Sequence, residues 1–396
     1  MNRLSVVGTC GLILFLQFGV IHSEELLPIE VVSHHTELNG AKTYRSVAMR
    51  LPWLYAVDRD GGLQVFRVPM TGVGDFTGGF VRFFSDLAGS SADRLLRKDI
   101  PPLEIVYSIK NAGDGNDAQI FDNVLSLTSK GKLSAYNLDD PSKPKLLGNF
   151  GSPLATDSQS IVRAGKHVVI LGDGQISSYD FSDPNSPKHL ATLDNGRGNW
   201  NGCSQGNLLY VCEVSRRRNH RMGIAVYDIT NPLKLTEQNF IETNRTPYHV
   251  CINTDGHLLA SLDSSSFFHF FTNRHITVNG STQIFQVNND QVLKPTGIVG
   301  SSGGRSVHTM NYADTTIMIC NGLAFRSKNA ELQQIGSFFP YGTTLDGFPY
   351  HGDHDGPYVA LATDNELSVL RITESVWHRL GKYTAFVVVQ IIVRLF

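Results

Sequence analysis

Residues 135–150 read A-Y-N-L-D-D-P-S-K-P-K-L-L-G-N-F, and the same grammar returns as S-Y-D-F-S-D-P-N-S-P-K-H-L-A-T-L from 178 and A-V-Y-D-I-T-N-P-L-K-L-T-E-Q-N-F from 225. Each copy sets an aromatic residue before Asn or Asp, then an apolar residue, a polar pair and a proline. The alternating part suits a strand. Asn and Asp side chains cap turns with their own hydrogen bonds, proline fixes φ, and the apolar run beyond it supplies a further strand. Pro141, Pro184 and Pro232 recur at 43 and 48 residues. A unit of that length with several short strands cannot bury its apolar face alone, so copies must stack.

Weaker copies of the same strand stand at G-L-Q-V-F-R-V-P from 62, S-S-F-F-H-F-F-T-N from 265, G-L-A-F-R-S-K from 322 and E-L-S-V-L-R-I-T from 366. Together the copies predict an all-β chain, a seven-bladed β-propeller with four-stranded antiparallel blades near 41–90, 101–150, 157–193, 196–243, 246–296, 303–340 and 344–385. On the three strong motifs, which cover the middle of the chain, the sequence resembles the LVIVD-repeat family of secreted β-propellers. The resemblance implies the fold and an exported protein, and supplies no catalytic motif to carry over. S-A-D-R-L-L-R-K-D, residues 91–99, reads as a short helix in an insertion joining the first two blades. Two strand-like ends could close the ring against the last blade: L-P-I-E-V-V-S-H-H near 27, or the C-terminal F-V-V-V-Q-I-I-V-R-L-F, whose β-branched run is interrupted by Gln390 and Arg394.

Residues 1–23 have one early arginine, an apolar run and a small-residue end, the layout of a secretory signal peptide, leaving 24–396 as a single domain with no stable membrane span. The expected location is extracellular, or periplasmic in a bacterial source. A net charge of −2 gives no basic excess for a nucleic-acid partner. Cys203, Cys212, Cys251 and Cys320 form an even set, for which a Cys203–Cys212 bridge and buried thiols are both open readings. Asn244 and Asn279 head N-x-S/T sequons, so a glycoprotein is expected where the source glycosylates. S-R-R-R-N-H-R, residues 215–221, could grip anionic groups or serve as a solvated hairpin tip.

Function in a propeller concentrates where the innermost strands open on the axis. His249 stands nine residues before Leu258, His308 nine before Ile317, and His351 eight before Val359, each ahead of an apolar strand. Counting back the same way reaches Arg45, Gln159, Asn199 or Trp200, with Asp117 nearby, and Tyr248 and Tyr350 precede their histidines. A one-residue slip in the last blade would turn a side chain to the opposite face, so that His354 could replace His351 or neither would face the axis. Three converging imidazoles can hold a transition metal, with Gln159, Asp353 or water completing the shell, so His249, His308 and His351 are candidate metal ligands. They can equally act as general base and acid with Tyr248 and Tyr350, while Arg45 or Arg305 neutralises a carboxylate. The latter set is similar to what seven-bladed polysaccharide lyases use on uronic acids. The leading expectation is an extracellular ligand or protein partner, an anionic polysaccharide among them, bound at the axial mouth through Arg45, Gln159, Trp200 and Arg305. The alternative is a lyase on the same face. Histidines that merely donate to carbonyls along a wet channel are the plain structural reading of the same residues. P-loop and H-E-x-x-H motifs are absent from the sequence, and no dinucleotide fingerprint stands at a strand-helix junction.

Overall fold

A computed structural model describes residues 29–36, 44–58, 62–70, 102–112, 116–129, 132–151, 158–215, 222–243, 245–253, 256–262, 265–269, 274–278, 281–287, 293–300, 307–312, 315–320, 323–328, 331–337, 351–362 and 366–372. The signal-like stretch, residues 91–99, the C-terminal tail, the arginine-rich tip beyond Ser215, the sequon asparagines Asn244 and Asn279, Arg305 and Tyr350 lie outside them. All regular structure among the described residues is strand, and the sheets are antiparallel and mostly four-stranded, arranged like propeller blades. No helix there is long and apolar enough to cross a membrane.

The strand β1 (Ile29–Thr36) is followed by a sheet of β2 (Tyr44–Arg50), β3 (Trp53–Asp58), β4 (Leu63–Arg67) and β5 (Glu104–Ile109), then one of β6 (Ala118–Phe121), β7 (Val124–Ser129), β8 (Lys132–Asn137) and β9 (Lys145–Gly151). A six-stranded sheet holds β10 (Ser158–Ala164), β11 (His167–Asp180), β12 (Lys188–Gln205), β13 (Leu208–Ser215), β14 (Met222–Asp228) and β15 (Thr236–Glu242). β16 (Pro247–Ile252) and β17 (His257–Leu262) pair on with β20 (Ser281–Val287) and β21 (Leu293–Gly300), while β18 (Ser265–His269) and β19 (Arg274–Val278) form a separate hairpin. β22 (Val307–Tyr312), β23 (Thr315–Cys320), β24 (Leu323–Lys328) and β25 (Glu331–Ser337) make another sheet, and β26 (His351–Asp355), β27 (Tyr358–Ala362) and β28 (Glu366–Ile372) the last. β1 pairs with β28, so the N-terminal stretch supplies the outermost strand of the C-terminal sheet.

Two sequence readings change here. Glu104–Ile109 pairs with Leu63–Arg67, so it completes the first sheet, and residues 71–101 fall within that sheet's chain order rather than between the first two. S-S-F-F-H-F-F is not the third strand of its sheet; S-T-Q-I-F-Q-V of β20 is, because the phenylalanine-rich run pairs with R-H-I-T-V to make the inserted hairpin. The repeat turns form as their residues dictate. Asp139 N, Ser182 N and Thr230 N donate to the side chains of Asn137, Asp180 and Asp228, and Ser142 N, Asn185 N and Leu233 N donate to Asp140, Asp183 and Asn231 two residues back. Tyr55 Oη donates to Pro141 O at 2.9 Å, tying one sheet to the next sheet's turn.

The aromatic residue of each copy has a second role. Opposite Phe66, Tyr136, Tyr179, Tyr227, Phe285 and Phe325 the neighbouring strand carries one extra residue: Val106, Leu147, Leu190, Gln238, Thr296 and Ile335. Val32 is the extra residue opposite Leu370 and Val369 in the last sheet. A bulge on an outermost strand twists that edge away from further pairing, which protects it against edge-to-edge association.

The core lies between sheets. Tyr44, Met49, Leu54 and Phe66 pack on Tyr358, Ala360 and Val369; Tyr55 and Val65 pack on Leu125, Leu127 and Tyr136; Leu133 and Ala135 pack on Ile161 and Ile170. Leu171 and Ile176 lie against Leu209, Val211 and Ala225, so the two halves of the six-stranded sheet also face each other. The innermost strands touch in circuit: β2 against β6, β6 against β10, β10 against β12, β12 against β16, β16 against β22, β22 against β26, and β26 back against β2.

Candidate functional site at the axis

An innermost strand pairs on one side only, which leaves alternate backbone N–H groups facing the neighbouring sheet. Side chains of that neighbour satisfy them. His351 Nδ1, Asp353 Oδ2 and Asp355 Oδ2 accept from Val47, Met49 and Leu51 N–H at 3.2, 2.6 and 2.8 Å. Asp117 Oδ2 accepts from Ile161 N at 2.7 Å and Asn201 Oδ1 from Val250 N at 3.1 Å. Period-two alternation on β26 meets period-two alternation on β2. Asp353 is therefore spent on the seam, where it also accepts from His354 N at 2.8 Å, and burial pushes its carboxyl above the usual range.

Strand register identifies one equivalent backbone position per innermost strand. Ser46 stands opposite Val57, Ser160 opposite Leu171, His249 opposite Ser261, His308 opposite Ile319 and His351 opposite Ala362. Asp117, whose carbonyl accepts from Thr128 N, and Asn201, inside the bulge between Asn199 and Gly202, take the same place in their sheets. Four of the side chains, those of His351, Asp117, Ser160 and Asn201, bond to one another at the axis. His351 Nε2 meets Asp117 Oδ1 at 2.8 Å, Ser160 Oγ donates to Asp117 Oδ2 at 2.9 Å, and Asn201 Nδ2 donates to Ser160 Oγ at 3.3 Å.

Burial would raise the Asp117 pKa, but the His351 charge and the bonds from Ile161 and Ser160 outweigh it and hold the carboxyl below its usual range. Burial likewise lowers His351, and Asp117 outweighs it, so the ring sits above the usual histidine value. In the neutral ring Val47 N–H occupies Nδ1 while Nε2–H points at Asp117; a second proton would strengthen the attraction to Asp117 at the expense of Val47. His249 is different. Burial first, then the neighbouring His351 charge, push it down to about 4 against the pull of Asp117, and its Nδ1 is buried without a hydrogen-bond partner among the described residues.

One residue earlier along the strands lies a second ring. Register gaps leave Arg45, Gln159 and Tyr248 without an opposite residue, and Trp200 shares its gap with Asn201. Bulges of this kind re-aim side chains. Arg45 Nη1 donates to Asn116 Oδ1 of the next sheet, and Trp200, 37% exposed, meets Tyr248 edge to face with centroids 5.5 Å apart.

No family model matches the sequence, and no curated protein matches it. Among solved structures, the WD40 domain of Pan2 from Neurospora crassa superposes with a TM-score of 0.59 at 9% identity, over 87% of this chain and 95% of that one. The N-terminal domain of Nup159 gives 0.52 at 11% identity over 88% and 96%, and the computationally designed Ika8 protein 0.52 at 10% over 87% and 100%. The shared fold is a β-propeller. Identities this low carry the fold alone.

On the propeller, the expected residues divide. His249 and His351 lie in the inner ring, His308 has the matching backbone position with its side chain outside the described residues, and Arg45, Gln159, Trp200 and Tyr248 lie in the bulged ring above it. Nothing is described for the Gln159 side chain, Tyr350 or Arg305. Ser46, Ser160 and Asn201 were missed. The signal was present but displaced: 12 residues separate His249 from Ser261, against 11 between Ser46 and Val57, Ser160 and Leu171, or His351 and Ala362. A count calibrated on the longer hairpin lands one residue early elsewhere. Among the described residues no group of three His, Cys, Asp or Glu side chains is placed to hold a metal ion. Cys203, Cys212 and Cys251 are free thiols, with no bridge between Cys203 and Cys212, and burial first, then neighbouring thiols, raise Cys203 and Cys212 well above the usual range.

Proposed function

We propose that the chain is a secreted, seven-bladed propeller that binds an extracellular ligand at its axial mouth, through Trp200 and Tyr248 with Arg45, Asn116 and Gln159 around them. The count of seven is supported by the circuit of innermost strands and by the face-to-face packing of the two halves of the six-stranded sheet. Secretion is supported by the layout of residues 1–23. The observation that carries the binding reading is the half-exposed Trp200 braced by Tyr248 above a buried, mutually bonded ring. An indole on a rigid support offers a large flat surface at small entropic cost, suited to a sugar ring or an apolar side chain, and the Arg45 guanidinium adds a partner for a carboxylate. The ligand classes are therefore an anionic polysaccharide or a protein segment. Arrays of acidic and neutral glycans and of peptides, read with wild-type protein and Trp200→Ala, test it: binding lost in the variant supports the site, and equal binding removes it.

A lyase acting on uronate polysaccharide is the second reading, favoured by the free nitrogen of His249. Both nitrogens of His351 are engaged, so proton abstraction would fall to His249, assisted by Tyr248. A transition metal on His249, His308 and His351 would likewise require His351 to release Val47 or Asp117. Ultraviolet absorbance of unsaturated uronate on pectic, alginate, ulvan and glycosaminoglycan substrates, with and without added metal, decides the enzyme. Elemental analysis of protein prepared without chelator decides the metal.

A further inference from the structure

We propose that Glu213, acting through Arg197, Asn195 and Asn199, is a positioning residue that fixes Trp200 at the mouth. The inference rests on the reading of Trp200 as a ligand contact. Glu213 is wholly buried within a sheet, where a carboxylate is costly unless every oxygen is bonded. It is bonded on both. Arg197 Nη1 donates to Oε2 at 2.6 Å, Asn195 Nδ2 to Oε1 at 3.0 Å, and the Tyr227 hydroxyl also donates to Oε1. Arg197 bridges on to Glu237 Oε2 at 2.8 Å and lies over the Phe240 ring.

Apart from the Tyr227 bond, these contacts converge on five residues, Asn195 to Asn199, that run directly into Trp200. Asn199 is opposite Glu213 in register, and its Nδ2 donates to Gly172 O at 2.7 Å and Gln175 O at 3.2 Å, where β11 changes partner. Asn195 Nδ2 donates to Asn199 Oδ1 at 2.9 Å, joining the two clusters. Beyond Trp200 the strand is clamped again: a Cβ on Gly202 would come within 2.8 Å of both Tyr210 O and a Leu171 methyl. The bulge that presents Trp200 is thus pinned before by a charged network and after by backbone contact. Without the network, the indole would keep its place in sequence and lose its fixed direction.

The test needs no ligand. Protein labelled with 5-fluorotryptophan has three fluorine signals, from Trp53, Trp200 and Trp377, and Trp200→Phe assigns the one of interest. Wild type should give a single Trp200 signal. Glu213→Gln, which removes the charge in the same shape, and Arg197→Lys, which removes the guanidinium fork, should each shift and split that signal while the Trp53 signal stays. Tyr136→Phe, which deletes a hydroxyl bond to Ala112 O in another sheet, should lower the melting temperature without touching it. An unchanged Trp200 signal in both network variants overturns the proposal, as does an equal change in Tyr136→Phe. If only one network variant folds, it decides. If neither folds, the network is a requirement of the sheet and the proposal falls. Because the measurement is made on free protein, it stands apart from the array result: a fixed Trp200 that binds nothing would sink the binding reading alone.

Discussion

The two rings at the axis lie one residue apart along the same strands and differ in almost every physical respect. The inner ring of Asp117, Ser160 and His351, with the half-buried Asn201, is bonded to itself and to the free N–H edge of neighbouring strands. The bulged ring of Arg45, Trp200 and Tyr248 is partly exposed, with Arg45 bonded to Asn116 and Trp200 lying against Tyr248. Polarity at an axis is therefore poor evidence of recognition. Innermost strands need polar side chains simply to satisfy their own backbone, and in the proposed reading it is the residue left over by a bulge that meets the ligand.

Removing a member of the inner ring should do the most damage. Asp117→Ala leaves His351, Ser160 and Ile161 N–H without their acceptor and should cost about 3–5 kcal/mol in urea denaturation, the range for breaking a buried pair. A loss under about 1 kcal/mol would mean that the ring is not what joins the sheets.

Acid should expose His249 next. Its folded value of about 4 lies below the unfolded 6.5, so its contribution is complete above pH 6.5 and is lost as pH falls toward 4, on the order of 2–3 kcal/mol. His351 has the opposite sign, present below 6.5 and lost as pH rises through its raised folded value, while Asp117 contributes above 3.8 and loses that as pH falls further. Urea midpoints between pH 7 and 4 should therefore drop less steeply in His249→Gln than in wild type. Identical slopes would remove His249 from the buried ring.

Trp200→Ala should shift stability by less than about 1 kcal/mol yet weaken ligand binding tenfold or more, the pattern of an interface anchor. Smallest is Tyr55→Phe, which forfeits the bond to Pro141 O at a cost of about 1 kcal/mol and should leave binding untouched. A change in binding there would carry recognition away from the mouth.

Much of this was legible in the sequence, and the failures have physical causes. The aromatic, Asx and proline grammar gave the turns because each of those residues makes its bond within a few positions. The bulge opposite each aromatic was not legible, since an extra residue on one strand is defined only against its partner. The one-residue longer hairpin after His249 was equally invisible before pairing, and a count calibrated on it reached Arg45, Gln159 and Trp200, when the residues equivalent to His249 were Ser46, Ser160 and Asn201. Glu213 and Arg197 carried no signal at all. Their 16-residue separation has no meaning until β12 and β13 are paired.

The most direct test compares three proteins on one glycan and peptide array: wild type, Trp200→Ala, and Asp117→Asn held below its melting temperature. The account predicts that signals vanish with Trp200→Ala and persist with Asp117→Asn. Signals that survive the first substitution and vanish with the second would place recognition in the buried ring and contradict it.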